Sequence, residues 1–418
     1  MGLLTALNPT QYLSTDSRYY LSMAGWLVGL NGDQYGHRAA GWITDFPVGY
    51  PLLIGGAARL TGLSLLIASK GVNGLAIGAF LWHWQRRVGS VSTLWMGSVF
   101  LLGGFLRLVT YTWSECVFVV VLLEGIWLVQ QSELANERGT LSANRSVVRL
   151  AGLFVALFTL RYAGSFYAVA YGLWVLATYR RNGWSVSRRR LGADLFVGLL
   201  TAVYILGTFY LNNRLTHQPL GTERFYETGE TGWDKAYRLV LAFVNELLLL
   251  RDHVPAQSTA LVWVGLALQI GLFVWLWRII QPCRPTIVPP ADEEKRLCQV
   301  WLWGSATYLT GLFVMRWFSP FPGPDARLMA PVTLPLLMGV ALWVSRWPNL
   351  TLRRQVARWW VVFLLASGLQ LLPQADLVGK MGQVFKREGA KGSLRTQRFF
   401  AKPKTAFASL AIPLRLRV

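Results

Sequence analysis

Apolar runs and short basic turns alternate along most of this chain. Runs at 72–84, 92–108, 116–129, 147–160, 166–178, 191–211, 260–280, 297–314, 328–344 and 359–372 are apolar enough to cross or nearly cross a bilayer. The cleanest, 191–211, reaches about 31 Å as a helix. Two stretches break the alternation. One is the polar opening segment 15–51, with three aspartates, a histidine and a Pro-Val-Gly-Tyr-Pro turn. The other is a polar loop at 212–258, with a short helical pattern at 237–250. Residues 51–68 are apolar but interrupted by Gly55, Gly56, Arg59 and Gly62, a pattern for a helix lying in the interface. The pattern predicts an all-α polytopic membrane protein of about 9–10 transmembrane helices. Interfacial helices belong to its first outer loop. The membrane domain covers 1–372, with the first outer loop at 8–50, an interfacial helix at 51–69 and an outer loop at 212–258. A basic tail occupies 373–418.

Composition agrees. Fifty-three per cent of the residues are hydrophobic, more than one soluble core of this size can hide, and twenty tryptophans suit aromatic belts at the two interfaces. Lys and Arg number 41 against 20 Asp and Glu, a net charge of +21. The basic residues sit mainly in the turns, where membrane orientation and anionic headgroups explain them; no nucleic-acid reading motif accompanies them. If the opening segment lies outside, the basic turns at 86–87, 138–149, 180–190, 278–296 and 346–358 fall on the cytoplasmic side. The basic tail is the exception to that sidedness. Three cysteines, Cys116, Cys283 and Cys298, and four scattered histidines indicate no disulfide framework and no metal motif. No phosphate-binding glycine loop, dinucleotide fingerprint or serine elbow is present, and residues 1–7 are too short for a signal sequence.

The candidate chemistry gathers at one surface. Asp16 precedes a helical pattern; it reads either as that helix's N-cap or as a carboxylate able to take a proton from an acceptor hydroxyl. Asp45-Phe46-Pro47-Val48-Gly49-Tyr50-Pro51 is a turn entering a helix, in which Asp45 and Tyr50 either serve the turn alone or also face a substrate. Glu115 opens a span, where it suits the helix dipole or serves function; Glu124 is a weaker candidate deeper in. Arg161, at a span boundary, either snorkels or grips a lipid phosphate. Asp325 and Arg327 read as a local ion pair or as a second phosphate contact.

Together these residues resemble a known family. Asp16-Ser17-Arg18-Tyr19-Tyr20 followed by the Asp45–Pro51 turn is similar to the first outer loop of GT-C glycosyltransferases, nearest the bacterial protein-mannosyltransferase-like and aminoarabinose-transferase-like members. Trp113-Ser114-Glu115, Leu160-Arg161-Tyr162-Ala163-Gly164, Asn212-Asn213-Arg214 with Pro219-Leu220-Gly221, and Asp325-Ala326-Arg327-Leu328 resemble later motifs in the same order. The resemblance covers about residues 13–345. Members carry a membrane helix ahead of the aspartate, and fifteen residues precede Asp16 here, so the reading is either a late start or a chain without that helix.

The resemblance implies an inverting transfer of a sugar from a polyprenyl-phosphate donor to an envelope lipid or protein acceptor at the outer face of a bacterial inner membrane. Asp16 is then the base. Arg161 and Arg327 stabilise the departing phosphate. Tyr20, Asp45, Phe46, Tyr50, Glu115, Tyr162, Arg214 and Asp325 join the substrate site, and the 212–258 loop selects the acceptor. Asp16 and Glu115 are the residues a divalent metal would use, although Ser17 stands where a paired acid would follow Asp16. Expected partners are the lipid-linked donor, membrane lipids and an acceptor of unspecified kind, with no nucleic acid. The alternatives are a lipid or solute transporter, which would show two related halves, and a non-catalytic partner in envelope assembly.

Overall fold

The structure is a computed structural model that describes residues 12–30, 35, 42–137, 143–182, 188–219, 231–247, 260–286, 292–318 and 326–368. Asp325, residues 220–230 and 248–258 of the predicted outer loop, and the basic tail lie outside the described residues. Among the described residues every regular element is helical. In chain order these are α1 (Thr15–Val28), α2 (Gly49–Thr61), α3 (Leu65–Val88), α4 (Ser90–Ser98), α5 (Gly103–Thr110), α6 (Glu115–Glu137), α7 (Ala143–Leu160), α8 (Ser165–Asn182), α9 (Arg188–Thr216), α10 (Gly232–Leu247), α11 (Ala260–Ile280), α12 (Asp292–Phe318), α13 (Ala326–Ser345) and α14 (Leu350–Ser367).

Five of these segments are long and apolar enough to cross a membrane: Leu65–Val88, Glu115–Leu134, Leu191–Thr216, Leu266–Cys283 and Arg327–Ser345. The protein is an integral multi-pass membrane protein. The other runs read from the sequence as spans fall in α7, α8, α12 and α14, which are helical but shorter or more charged.

Two sequence boundaries are corrected. The predicted interfacial helix over 51–69 is shorter, because α2 stops at Thr61 with Gly62 in the left-handed region at φ +71°. Residues 65–71 belong instead to the spanning helix α3, capped by Ser64. The run 92–108 is not one straight helix. It bends by 76° between Ser90–Leu101 and Gly103–Thr110. A 3-10 turn at Val99–Leu101 and an extended Leu102 make the bend, and the Ser367 hydroxyl accepts the freed Gly103 N–H at 3.1 Å.

Helix α13 is the most enclosed span, packed against α4, α6, α10 and α12. It carries Pro331 and Pro335. Pro335 has no N–H to give to the carbonyl four residues earlier, that of Pro331. The Tyr167 hydroxyl of α8 donates to that carbonyl at 3.1 Å, so the proline pair is accommodated by a neighbouring helix.

Candidate functional site

The starts of α1, α6 and α13 and the α7–α8 turn come together at one end of the bundle. Each is built by local rules. At α1 the N-cap is Ser14, whose hydroxyl accepts the Ser17 N–H at 3.1 Å; this settles the cap reading against Asp16. Asp16 sits in the first turn, where the helix dipole favours an acid. The α7–α8 turn is extended at Arg161 and closes through a 3-10 turn at Tyr162–Gly164. Gly164 is required there by close approach: a Cβ would fall 2.5 Å from the Leu157 carbonyl oxygen.

Four charged residues, far apart in the sequence, make two ion pairs. Arg327 Nη1, at the start of α13, meets Asp16 Oδ2 across 311 residues of sequence. Arg327 thus makes a long-range pair; its sequence neighbour Asp325 lies outside the described residues. Arg161 Nη1 meets Glu115 Oε1 at the start of α6. The pairs differ in burial. Asp16 and Arg327 keep 28% and 29% of their side-chain surface exposed, whereas Glu115 keeps 5% and Arg161 15%. Glu115 Oε2 is buried without a hydrogen-bond partner among the described residues. Burial works against the Arg161 charge, but Glu115, with Tyr308 and Tyr20 adding to it, raises the guanidinium's affinity for its proton above the ordinary range. A pair with more than a quarter of each side chain exposed is partly screened by water and costs less to open than a buried one. Removing one member of a buried pair costs about 3–5 kcal/mol. Of the two, Asp16–Arg327 is therefore the contact that costs less to open, and Glu115–Arg161 the one held more firmly.

Aromatic residues join the two pairs. The Tyr20 hydroxyl shares a hydrogen bond of 3.1 Å with Ser114 Oγ, next to Glu115. Its ring lies 4.5 Å from Phe46 and meets Tyr50 edge-on at 5.2 Å. Burial, reinforced by Glu115, pushes the Tyr20 phenol well above its usual range, so it is neutral and acts through hydrogen bonding and shape. Tyr50 is pushed up likewise by burial and donates to Asn73 Oδ1 at 3.1 Å. Asn73 Nδ2 in turn donates to the carbonyls of Val109 at 3.0 Å and Tyr111 at 3.2 Å, which fixes the backbone leading into Trp113. Trp113 lies flat on Tyr111 with ring centres 4.0 Å apart, donates its indole N–H to Ser14 Oγ at 2.7 Å, and holds the Arg327 guanidinium 4.8 Å from its ring centre.

Tyr162 braces the Asp45–Phe46 turn from the side. Its hydroxyl donates to the Thr44 carbonyl at 2.9 Å and accepts from Asn212 Nδ2 at 3.0 Å. Asn212 also accepts the Trp42 indole N–H at 2.9 Å.

The sequence-predicted residues thus divide. Asp16, Tyr20, Phe46, Tyr50, Glu115, Arg161 and Arg327 are linked in one cluster, with Tyr162 and Asp45 at its edge. Arg214 stays on the exposed face of α9, where its Nε donates to Tyr210 one turn back at 3.2 Å. Glu124 belongs elsewhere: it accepts from Trp84 and Arg87, each at 2.8 Å, and lies 3.1 Å from His83. Ser14, Asn73, Trp113 and Asn212 were missed as site residues. Trp113 and Asn212 lay inside the motifs quoted for the resemblance; nothing marked Ser14 or Asn73.

A divalent metal does not fit these side chains. Asp16 and Glu115 each face a guanidinium, and among the described residues no group of three or more His, Cys, Asp or Glu gathers as ligands would.

No family model and no curated protein matches the chain. Among solved structures, it is similar to ArnT from Cupriavidus metallidurans in the apo state, at TM-score 0.48 and 14% identity over 83% of this chain and 58% of that one. It is similar also to ArnT from the same organism bound to undecaprenyl phosphate, at TM-score 0.46 and 14% identity over the same shares. The chain spans 58% of the length of these two structures.

Proposed function

We propose that this protein is a membrane glycosyltransferase that moves a sugar from a polyprenyl-phosphate donor to an acceptor hydroxyl at the outer face of the membrane. One observation carries the reading: two carboxylate–guanidinium pairs, Asp16–Arg327 and Glu115–Arg161, drawn from four separate stretches of the chain, lie beside a shared aromatic cluster at one end of a membrane bundle. Sugar transfer from a lipid phosphate asks for that inventory. A base takes the acceptor proton, and fixed positive charge meets the phosphate as it departs. The order of the motifs along the sequence supports the same reading, and the basic turns support the sidedness.

In this mechanism Asp16 accepts the proton of the acceptor O–H as its oxygen bonds to the anomeric carbon. The bond from that carbon to the phosphate oxygen breaks on the opposite face, and the polyprenyl phosphate leaves with the electron pair. Configuration at the anomeric carbon inverts. Arg161, held by Glu115, and Arg327, held over Trp113, meet the developing phosphate charge. Tyr20, Phe46 and Tyr50, buried and packed on one another, back the site and hold α1 against α2.

The test is sugar transfer in membranes supplied with polyprenyl-phosphate sugars. Asp16→Asn is expected to reduce transfer by about 10²–10⁴-fold with normal insertion. Undiminished transfer by that variant, or none by the unaltered protein from any such donor, overturns the reading.

A further inference from the structure

One of the two carboxylate oxygens of Asp16, Oδ2, is already engaged by Arg327. The same arginine is one of the two cations offered to the donor phosphate. Both demands fall on one contact, and the surroundings show which way it resolves. Arg161 is tied to a buried carboxylate and stays in place. Arg327 is tied to a carboxylate that is more than a quarter exposed, so of the two contacts this one costs less to open. A phosphate monoester or diester offers a guanidinium two or more oxygens in fork geometry and at least an equal negative charge, which favours the exchange.

Trp113 keeps the exchange local. Its ring lies under the Arg327 guanidinium, and its indole N–H is fixed on Ser14, the cap of the helix that carries Asp16. When Arg327 turns from carboxylate to phosphate, the cation remains on the indole face and α1 remains capped. Only the partner of the guanidinium changes.

We propose that Arg327 masks Asp16 in the ligand-free protein and that the lipid phosphate unmasks it by drawing Arg327 away over the Trp113 ring. The base is then released only when donor is bound, and the order of binding is donor before acceptor. This rests on the glycosyltransfer reading for the identity of the phosphate, but its test needs no sugar transfer.

The full-length protein in detergent is treated with a carbodiimide and a small amine, and modification of Asp16 is read by peptide mass spectrometry. The additions are a polyprenyl phosphate without sugar, or the corresponding polyprenol, with bound lipid counted on the same samples. Asp234, on the exposed start of α10, is the internal reference. Bound polyprenyl phosphate is expected to raise Asp16 modification about fivefold, the factor that corresponds to about 1 kcal/mol for opening a partly screened ion pair. Polyprenol leaves it unchanged. Arg327→Gln is expected to be modified at the raised level without lipid and to show no further response. If polyprenyl phosphate binds and Asp16 modification stays level or falls, the unmasking is overturned while the glycosyltransfer reading stands. If the phosphate does not bind at all, or binds no better than polyprenol, both fall.

Discussion

Tyr20 and Ser114 stand 94 residues apart in the sequence and share one hydrogen bond of 3.1 Å between their hydroxyls. That bond ties the helix bearing Asp16 to the residue before Glu115, and so links the more exposed ion pair to the buried one. Tyr20→Phe removes the partner of a fully buried Ser114 hydroxyl. The expected loss is about 1–3 kcal/mol of stability, seen as a lower melting temperature in detergent. The sign of its pH dependence follows from burial. The folded protein holds the Tyr20 phenol above its unfolded value of about 10, so this contribution is complete below about pH 10 and is lost as pH rises beyond it. The gap between the unaltered protein and Tyr20→Phe is therefore expected to be constant near neutrality and to narrow above about pH 10.

The buried pair predicts a different pattern. Glu115→Gln or Arg161→Met alone leaves an uncompensated charge where Glu115 is 4% exposed, and each is expected to cost about 3–5 kcal/mol. Because the two penalties arise from the same orphaned charge, the double substitution is expected to be more stable than their sum predicts, by about 1–3 kcal/mol. Thermal unfolding of the four proteins measures this directly. Additive losses would mean that the two side chains do not depend on one another.

Much of this was legible in the chain, and the limits have physical causes. The helix at 260–280 was read to the residue, and that at 191–211 to within five, because long apolar helices announce themselves by length. The bend at Leu102 was not, since Gly103-Gly104 is too weak a signal inside an apolar run and the hydroxyl that satisfies the bend comes from Ser367. Asp16, Glu115, Arg161 and Arg327 stood out as charges at the ends of apolar runs. Their pairing did not, because a contact across 311 residues leaves no local trace. Arg214 was drawn into the substrate site by its motif, yet Asn212 in that motif makes the buried contacts.

That reversal gives a paired comparison on α9. Asn212 accepts from Trp42 and donates to Tyr162 and, at 3.1 Å, to the Pro219 carbonyl, all from a buried side chain. Asn212→Ala strands these groups and is expected to cost about 1–3 kcal/mol, with a looser Asp45–Phe46 turn and a raised KM for donor. Arg214→Ala removes an exposed side chain whose hydrogen bond among the described residues runs along its own helix, and is expected to change stability by less than about 0.5 kcal/mol. Melting temperatures and donor KM for the two variants decide between the motif's arginine and its asparagine.

The last prediction separates the two duties of Trp113. Its ring carries Arg327 and its indole N–H caps onto Ser14. Phenylalanine keeps a face for the guanidinium and loses the donor. Leucine loses both, along with the stacking on Tyr111. A cation over an aromatic face at a partly exposed site is worth about 0.5–2 kcal/mol, and a neutral hydrogen bond about 0.5–1.5 kcal/mol. Trp113→Phe is therefore expected to lower stability by about 1 kcal/mol while leaving the donor KM within about threefold. Trp113→Leu frees Arg327 from its seat, and is expected to raise the donor KM by about 3–30-fold beyond the phenylalanine variant. Since Asp16 is untouched in both, kcat at saturating donor is expected to fall far less than in Asp16→Asn. Equal donor KM values for the phenylalanine and leucine variants would show that the ring does not seat Arg327, and that Trp113 serves α1 alone.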